Sequence, residues 1–168
     1  MKQLLFLAFF FTTLTSNSQQ HQLIKQWETD SVIAVPESVL PDLQNDILYV
    51  SLINGGGWDA DGIGGIGKLS DDGKIIDSNF ITGLNAPKGL GKFGNRLYAA
   101  DINQVVVIDL NQGKVIKKIA IPGGQGLNDI TVSDKGVVYV SDSRTSKIWR
   151  IENDMPSLFL DNKKVRMG

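Results

Sequence analysis

The sequence predicts an all-β fold, a β-propeller of four-stranded antiparallel blades, on three observations. First, Tyr98 and Tyr139 stand 41 residues apart, and the turns at Gly113 and Asp154 each follow their tyrosine by 15. Second, runs rich in β-branched and aromatic residues, such as "RLYAADI", "VVYVSDS", "VVVIDL" and "KIWRI", alternate with turn chemistry such as "FGN", "SDKG" and "LNQG". Third, no stretch after residue 18 keeps a 3.6-residue apolar period for three turns. Four short strands in roughly 41 residues is the pattern of a propeller blade. A sandwich of unrelated strands is the alternative, and the matched tyrosine and turn positions count against it.

Taken in order, residues 1–18 form a signal peptide. One basic residue, Lys2, precedes an apolar run from Leu4 to Leu14, and Ser16 and Ser18 place cleavage after Ser18. The run is shorter than the ~20 residues a membrane span needs. Residues 19–31 are a polar leader. The partial propeller occupies 32–168, with blades at about 32–85, 86–123 and 124–162. The first unit repeats the pattern as "ILYVSLI" around Tyr49, but its turn at Gly73 comes 24 residues later. The extra nine residues fall inside "NGGGWDADGIGG", a loop insertion at 54–65. Propellers usually close with at least four blades, so about three imply the N-terminal part of a larger ring, or a protein partner to complete it.

Composition narrows the function. The mature chain of 150 residues carries 16 basic and 18 acidic side chains, a balance that argues against a nucleic-acid surface. With the signal removed, no membrane segment is expected, and the location is periplasmic or extracellular. There is no cysteine, and the one histidine, His21, lies in the polar leader. Thiolate and Ser-His-Asp chemistry are therefore excluded, leaving carboxylates, amides, lysine and a hard metal.

The up-and-down topology sorts residues onto two faces. With strands A to D counted from the central channel outward, the start of A, the end of B and the B–C loop share one face. There the A strands contribute Glu37, Lys88, Asn128 and Asp129, and the B strands end at Asp101 and Asp142. The inserted loop adds Asn54, Trp58, Asp59 and Asp61. Glu37, Lys88 and Asn128 should point to a common centre at the channel mouth, with Lys88, Trp58, Asn128 and Asp129 as substrate-binding residues. Asp101 and Asp142 have two readings, closing their B–C loops or binding metal.

"ESVLPDLQNDILYV" and "GLNDITVSDKGVVYVSDSRTSKIWRI" resemble blades of the SMP-30/gluconolactonase/LRE-like family, over about residues 32–162. NHL-type propellers share the strand and turn pattern. The resemblance implies a six-bladed propeller with one divalent cation, often Ca²⁺, at the channel mouth. Some members hydrolyse sugar lactones or related esters. Carried over, Glu37 matches the metal-holding glutamate, Asn128 matches the substrate-side asparagine, and Asp142 is a second, weaker metal candidate. The family's later metal ligands have no counterpart here, so the chain alone is expected to lack a complete, active site. Ca²⁺ takes six to eight oxygen ligands and could polarise a carbonyl or activate water. A non-catalytic NHL-like propeller binding protein or glycan is the alternative.

Two motifs are set aside. "GIGGIGKL" has the glycines and lysine of a phosphate loop, but Leu69 replaces the required Ser or Thr and a strand follows. "DADG" begins like a calcium loop, but its twelfth position is Ser70 rather than glutamate.

Overall fold

The computed structural model describes residues 23–162. The expected signal peptide and His21 lie outside them. Twelve strands form three antiparallel four-stranded sheets. The first contains β1 (Pro36–Asp42), β2 (Ile47–Leu52), β3 (Gly64–Ser70) and β4 (Ile75–Leu84). The second contains β5 (Pro87–Phe93), β6 (Arg96–Asp101), β7 (Gln104–Asp109) and β8 (Lys114–Ala120). The third contains β9 (Leu127–Val132), β10 (Val138–Asp142), β11 (Lys147–Glu152) and β12 (Met155–Asp161). Each sheet is ordered as the chain runs, so every connection within a blade is a hairpin. Gly64–Ser70 is a strand leading into β4, and the Lys68 ammonium lies 4.7 Å from the Phe80 ring centroid rather than in a phosphate cradle.

The blades stack through two apolar layers. Tyr49, Ile66, Ile81 and Leu84 of the first meet Leu90, Leu97, Ala99, Val106 and Ile108 of the second. The opposite face of the second blade presents Tyr98, Ala100, Val105, Val107 and Ile119 to Val138, Val140, Trp149 and Ile151 of the third. Strand alternation explains this: β6 and β7 send successive side chains to opposite faces, and both faces are covered, so both strands read as nearly continuous apolar runs. Full burial of each large aliphatic side chain contributes about 1.5–3 kcal/mol.

The segment before β1 packs on the first blade as well. Ile33 is buried against Val50, Leu52 and Leu69 on the outer face of the first blade. Further back, the Trp27 indole lies over the Gly73 turn, where a Cβ would meet the ring at 2.3 Å. Gly73 also has φ of +82°, so its turn requires glycine for both conformation and space. At the other end of the stack, Tyr139 and Phe159 pair edge to face at 5.0 Å on the open side of the third blade. The corresponding Tyr49–Phe80 pair of the first blade is covered by the second blade. Among the described residues, nothing covers Tyr139 and Phe159 in the same way.

Candidate functional site

Each A strand carries a bulge at the same place, and these bulges lie at the strand ends expected to form the channel mouth. Pro36 pairs with Leu52 and Val39 with Val50, so Glu37 and Ser38 stand opposite Ser51 alone. Pro87 pairs with Asp101 and Leu90 with Ala99, which sets Lys88 and Gly89 against Ala100. Leu127 pairs with Asp142 and Ile130 with Val140, which sets Asn128 and Asp129 against Ser141. A bulge leaves one residue out of the ladder and re-aims its side chain. In two blades a serine hydroxyl satisfies the freed amide: Ser38 N–H donates to Ser51 Oγ at 2.9 Å, and Asp129 N–H to Ser141 Oγ at 3.0 Å. The bulges and their serines escape a reading from residue patterns, because a one-residue shift in register leaves no mark on composition.

The same pairings put the starts of the A strands beside the ends of the B strands. Lys88 is only 5% exposed, and its ammonium lies 4.4 Å from the centroid of the Trp58 ring. Trp58 comes from the inserted loop of the first blade. The Arg144 guanidinium, from the β10–β11 loop, lies 4.7 Å from the same centroid. Three blades thus deliver a tryptophan and two cations to one spot. Arg144 is the residue that sequence reasoning missed; its mark, a basic residue just after the Asp142 strand end, was visible in "SDSRTSK".

Glu37 and Asp129 lie on the exposed rim. Partial burial pushes the Glu37 carboxyl above its ordinary value, Lys88 pulls it down, and Asp129 pushes it up again, for a net rise. Asn128 is half-buried, with its amide donating to Ser143 Oγ at 3.2 Å and its Oδ1 buried without a partner. Asn54, Asp59 and Asp61 shape the inserted loop. Asn54 braces its base through the Ile63 carbonyl at 3.1 Å, Asp61 accepts from Ile63 N–H at 3.1 Å, and the Asp59 carboxylate packs against Gly56.

Asp101 and Asp142 are clamps on the chain between blades. Asp142 is buried, and its two oxygens accept from Gln125 N–H (3.0 Å), Gly126 N–H (3.1 Å), Arg144 N–H (3.1 Å) and Thr145 N–H (3.1 Å). This is the loop-closing arrangement, and it fixes the loop that carries Arg144. Burial raises the Asp142 pKa, but the amide hydrogen bonds led by Gln125 outweigh it and hold the group below 3.8. A carboxyl depressed in the folded state contributes stability above its unfolded pKa, and that stability is lost as pH falls through the folded value. The melting-temperature gap between the wild type and Asp142→Asn should therefore narrow in melts taken below about pH 4.

Among the described residues, no group of three or more His, Cys, Asp or Glu side chains is arranged to hold a metal ion. Glu37 faces an ammonium and one further carboxylate across the mouth, and Asp142 is committed to backbone amides. These residues by themselves do not fit the divalent cation that the family resemblance implies. The opposite face holds open depressions of about 420 and 490 Å³ between blades. Among their lining residues, Lys92 pairs with Asp42 at 3.1 Å and Arg96 with Asp154 at 3.6 Å.

The sequence matches no family model and no curated protein. Among solved structures, it is similar to a chain of a nidogen/laminin complex at 18% identity and a TM-score of 0.58, covering 77% of this chain and 48% of that one. Virginiamycin B lyase from Staphylococcus aureus aligns at 20% identity and a TM-score of 0.55, covering 74% and 40%. A luciferin-regenerating enzyme aligns at 17% identity and a TM-score of 0.54, covering 75% and 45%. The chain thus spans about half the length of these structures, or less. Likeness at such identity carries the fold, and with three hairpin-built four-stranded sheets it establishes that this chain forms blades of a β-propeller.

Proposed function

We propose that this protein is an exported propeller that binds a small organic molecule at the mouth formed by the bulged A strands. Trp58, Lys88 and Arg144 make the principal contacts, with Asn128 and Asp129 beside them. The observation that carries this reading is convergence: three blades place an indole and two cations together, and one of those cations is almost wholly buried. The packing of the blades has no need of such a cluster, since a lysine with so little exposure loses most of its freedom and hydration. The unpartnered Asn128 Oδ1 adds an acceptor that a ligand hydroxyl could satisfy.

The membership in the SMP-30/gluconolactonase-like group that "ESVLPDLQNDILYV" suggests is the finer form of this reading. It adds a divalent cation, Ca²⁺, on Glu37 and hydrolysis of a lactone or related ester by the whole protein. The position of Glu37 on the rim supports it, while the neighbouring Lys88 opposes a dication. The same opposition favours a second reading, a binding propeller without catalysis, which a protein or glycan could also engage.

Thermal melts of the full-length protein against neutral sugars, sugar lactones and simple carboxylates test the assignment. A ligand that raises Tm in the wild type should lose at least tenfold in affinity in Trp58→Ala. Equal affinity in the two proteins would place binding elsewhere. Millimolar Ca²⁺ is expected to leave Tm unchanged. A Ca²⁺-dependent rise that disappears in Glu37→Gln would instead establish the cation reading.

A further inference from the structure

We propose that the ligand of this mouth is an organic anion, with its carboxylate or phosphate group seated between the Lys88 ammonium and the Arg144 guanidinium beside Trp58. This rests on the placement of the ligand site at the mouth. The inference starts from an imbalance around Lys88. Its residue is 5% exposed, yet among the described residues its ammonium makes no hydrogen bond and no ion pair within 4 Å. Lysine is seldom so buried unless it is paired. Its close contact is the Trp58 ring at 4.4 Å, which attracts a cation but satisfies none of its three N–H donors.

Arg144 adds a second cation, an exposed one, beside the same ring. It too lies by the Trp58 ring, at 4.7 Å, without an ion pair among the described residues. The two cationic centres are therefore separated by no more than the sum of those two distances. Like charges held that near one another repel unless an anion joins them. Seating one anion on both requires that the cations approach the ring from the same side, so that two oxygens of the anion can each accept a charge-assisted hydrogen bond of about 2.8 Å. The planar guanidinium suits carboxylate and phosphate equally, and the ammonium acts as a point charge.

The rim carboxylates do not cancel this demand. Glu37 and Asp129 influence the mouth electrostatically, but neither is within ion-pair distance of Lys88 or Arg144. They would set a boundary that disfavours ligands with charge spread over their whole length. Arg144 is also held in advance. Its N–H and that of Thr145 are fixed by Asp142, and its stem packs over Gly126, where a Cβ would meet Cγ at 2.6 Å. Little ordering remains to be done when the anion arrives, which favours binding.

Calorimetry and thermal melts of the full-length protein at low ionic strength, with citrate, benzoate and inorganic phosphate as probes, test the inference. At least one probe should bind and raise Tm, with affinity falling as salt is added. Lys88→Met keeps the buried stem and removes the charge; Arg144→Gln changes an exposed loop residue. Each should weaken binding at least tenfold, and the pair together should abolish it. Should Lys88→Met fail to fold, Arg144→Gln alone carries the test. Failure of all three probes, or binding that survives the substitutions, overturns the proposal. If a neutral sugar binds in a Trp58-dependent way while no anion does, the mouth remains the ligand site and the anion assignment falls. If binding of any kind ignores Trp58→Ala, both fall.

Discussion

Asp101→Ala is expected to destabilise the protein by about 3 kcal/mol, read as a lower denaturant midpoint with an unchanged slope. Asp101 is fully buried at the end of β6. One oxygen accepts from Asn85 N–H at 3.1 Å and Ala86 N–H at 3.0 Å; the other accepts from the Asn85 and Gln104 side chains at 3.2 and 3.1 Å. Removing the carboxylate strands two backbone donors on the segment joining the first blade to the second. Each stranded donor costs about 1–3 kcal/mol. Asn85 and Ala86 lie between β4 and β5, so the loss acts where two blades are tied together. Asp101→Asn should recover much of the loss, because its Oδ1 can go on accepting from Asn85 N–H and Ala86 N–H while its NH₂ faces two side-chain amides that can turn their oxygens toward it. Asp109 is the internal comparison. It accepts from Asn95, Asn111 and Gln112, but at a solvent-accessible turn, so Asp109→Ala should cost much less. Equal losses at the two positions would contradict the burial argument.

Gly89→Ala should be nearly as damaging, and it should also impair the mouth. A Cβ at Gly89 would sit 2.5 Å from the Asn128 carbonyl oxygen and 2.7 Å from Asp129 Cα and Ile130 N. These are backbone atoms of β9, so no side-chain rotation relieves the clash. The innermost strands of the second and third blades must move apart, at about 1–3 kcal/mol for overpacking. Gly89 is also the second residue of the bulge that carries Lys88, and it presses on the bulge that carries Asn128. Separating β5 from β9 therefore moves Lys88 away from Asn128 and Arg144. Gly89→Ala should lower Tm and weaken ligand binding together. Gly57→Ala, where a Cβ meets nothing within 4 Å, should do neither. A Gly89→Ala protein with wild-type Tm would show that the two strands are less tightly apposed than the structure describes.

The blade pattern was legible because it rests on local chemistry. Tyrosine spacing, β-branched runs and the glycine and asparagine of the turns each act within a few residues, so the primary structure displays them directly. The order A to D and the shared face of A-strand starts and B-strand ends follow from hairpin connectivity, and the register bears them out in all three sheets. The segment before the first strand was harder to read. Two of its apolar residues, Ile33 and Trp27, pack on the first blade, and nothing local distinguishes them from Leu23, Ile24, Val32 and Val35, which stay exposed.

Local chemistry thus determined the strands, the turns and the blade-type repeat. Tertiary structure decided which side chains meet. Trp58, Lys88 and Arg144 are separated by up to 86 positions, and no spacing rule links an inserted loop, a strand start and a hairpin from three different blades. Only the stacking of the sheets brings them together. The fate of the carboxylates was settled in the same way. Whether Asp101 and Asp142 hold a loop or a ligand depends on the donors that surround them, and those donors are backbone amides placed by the chain's path between blades.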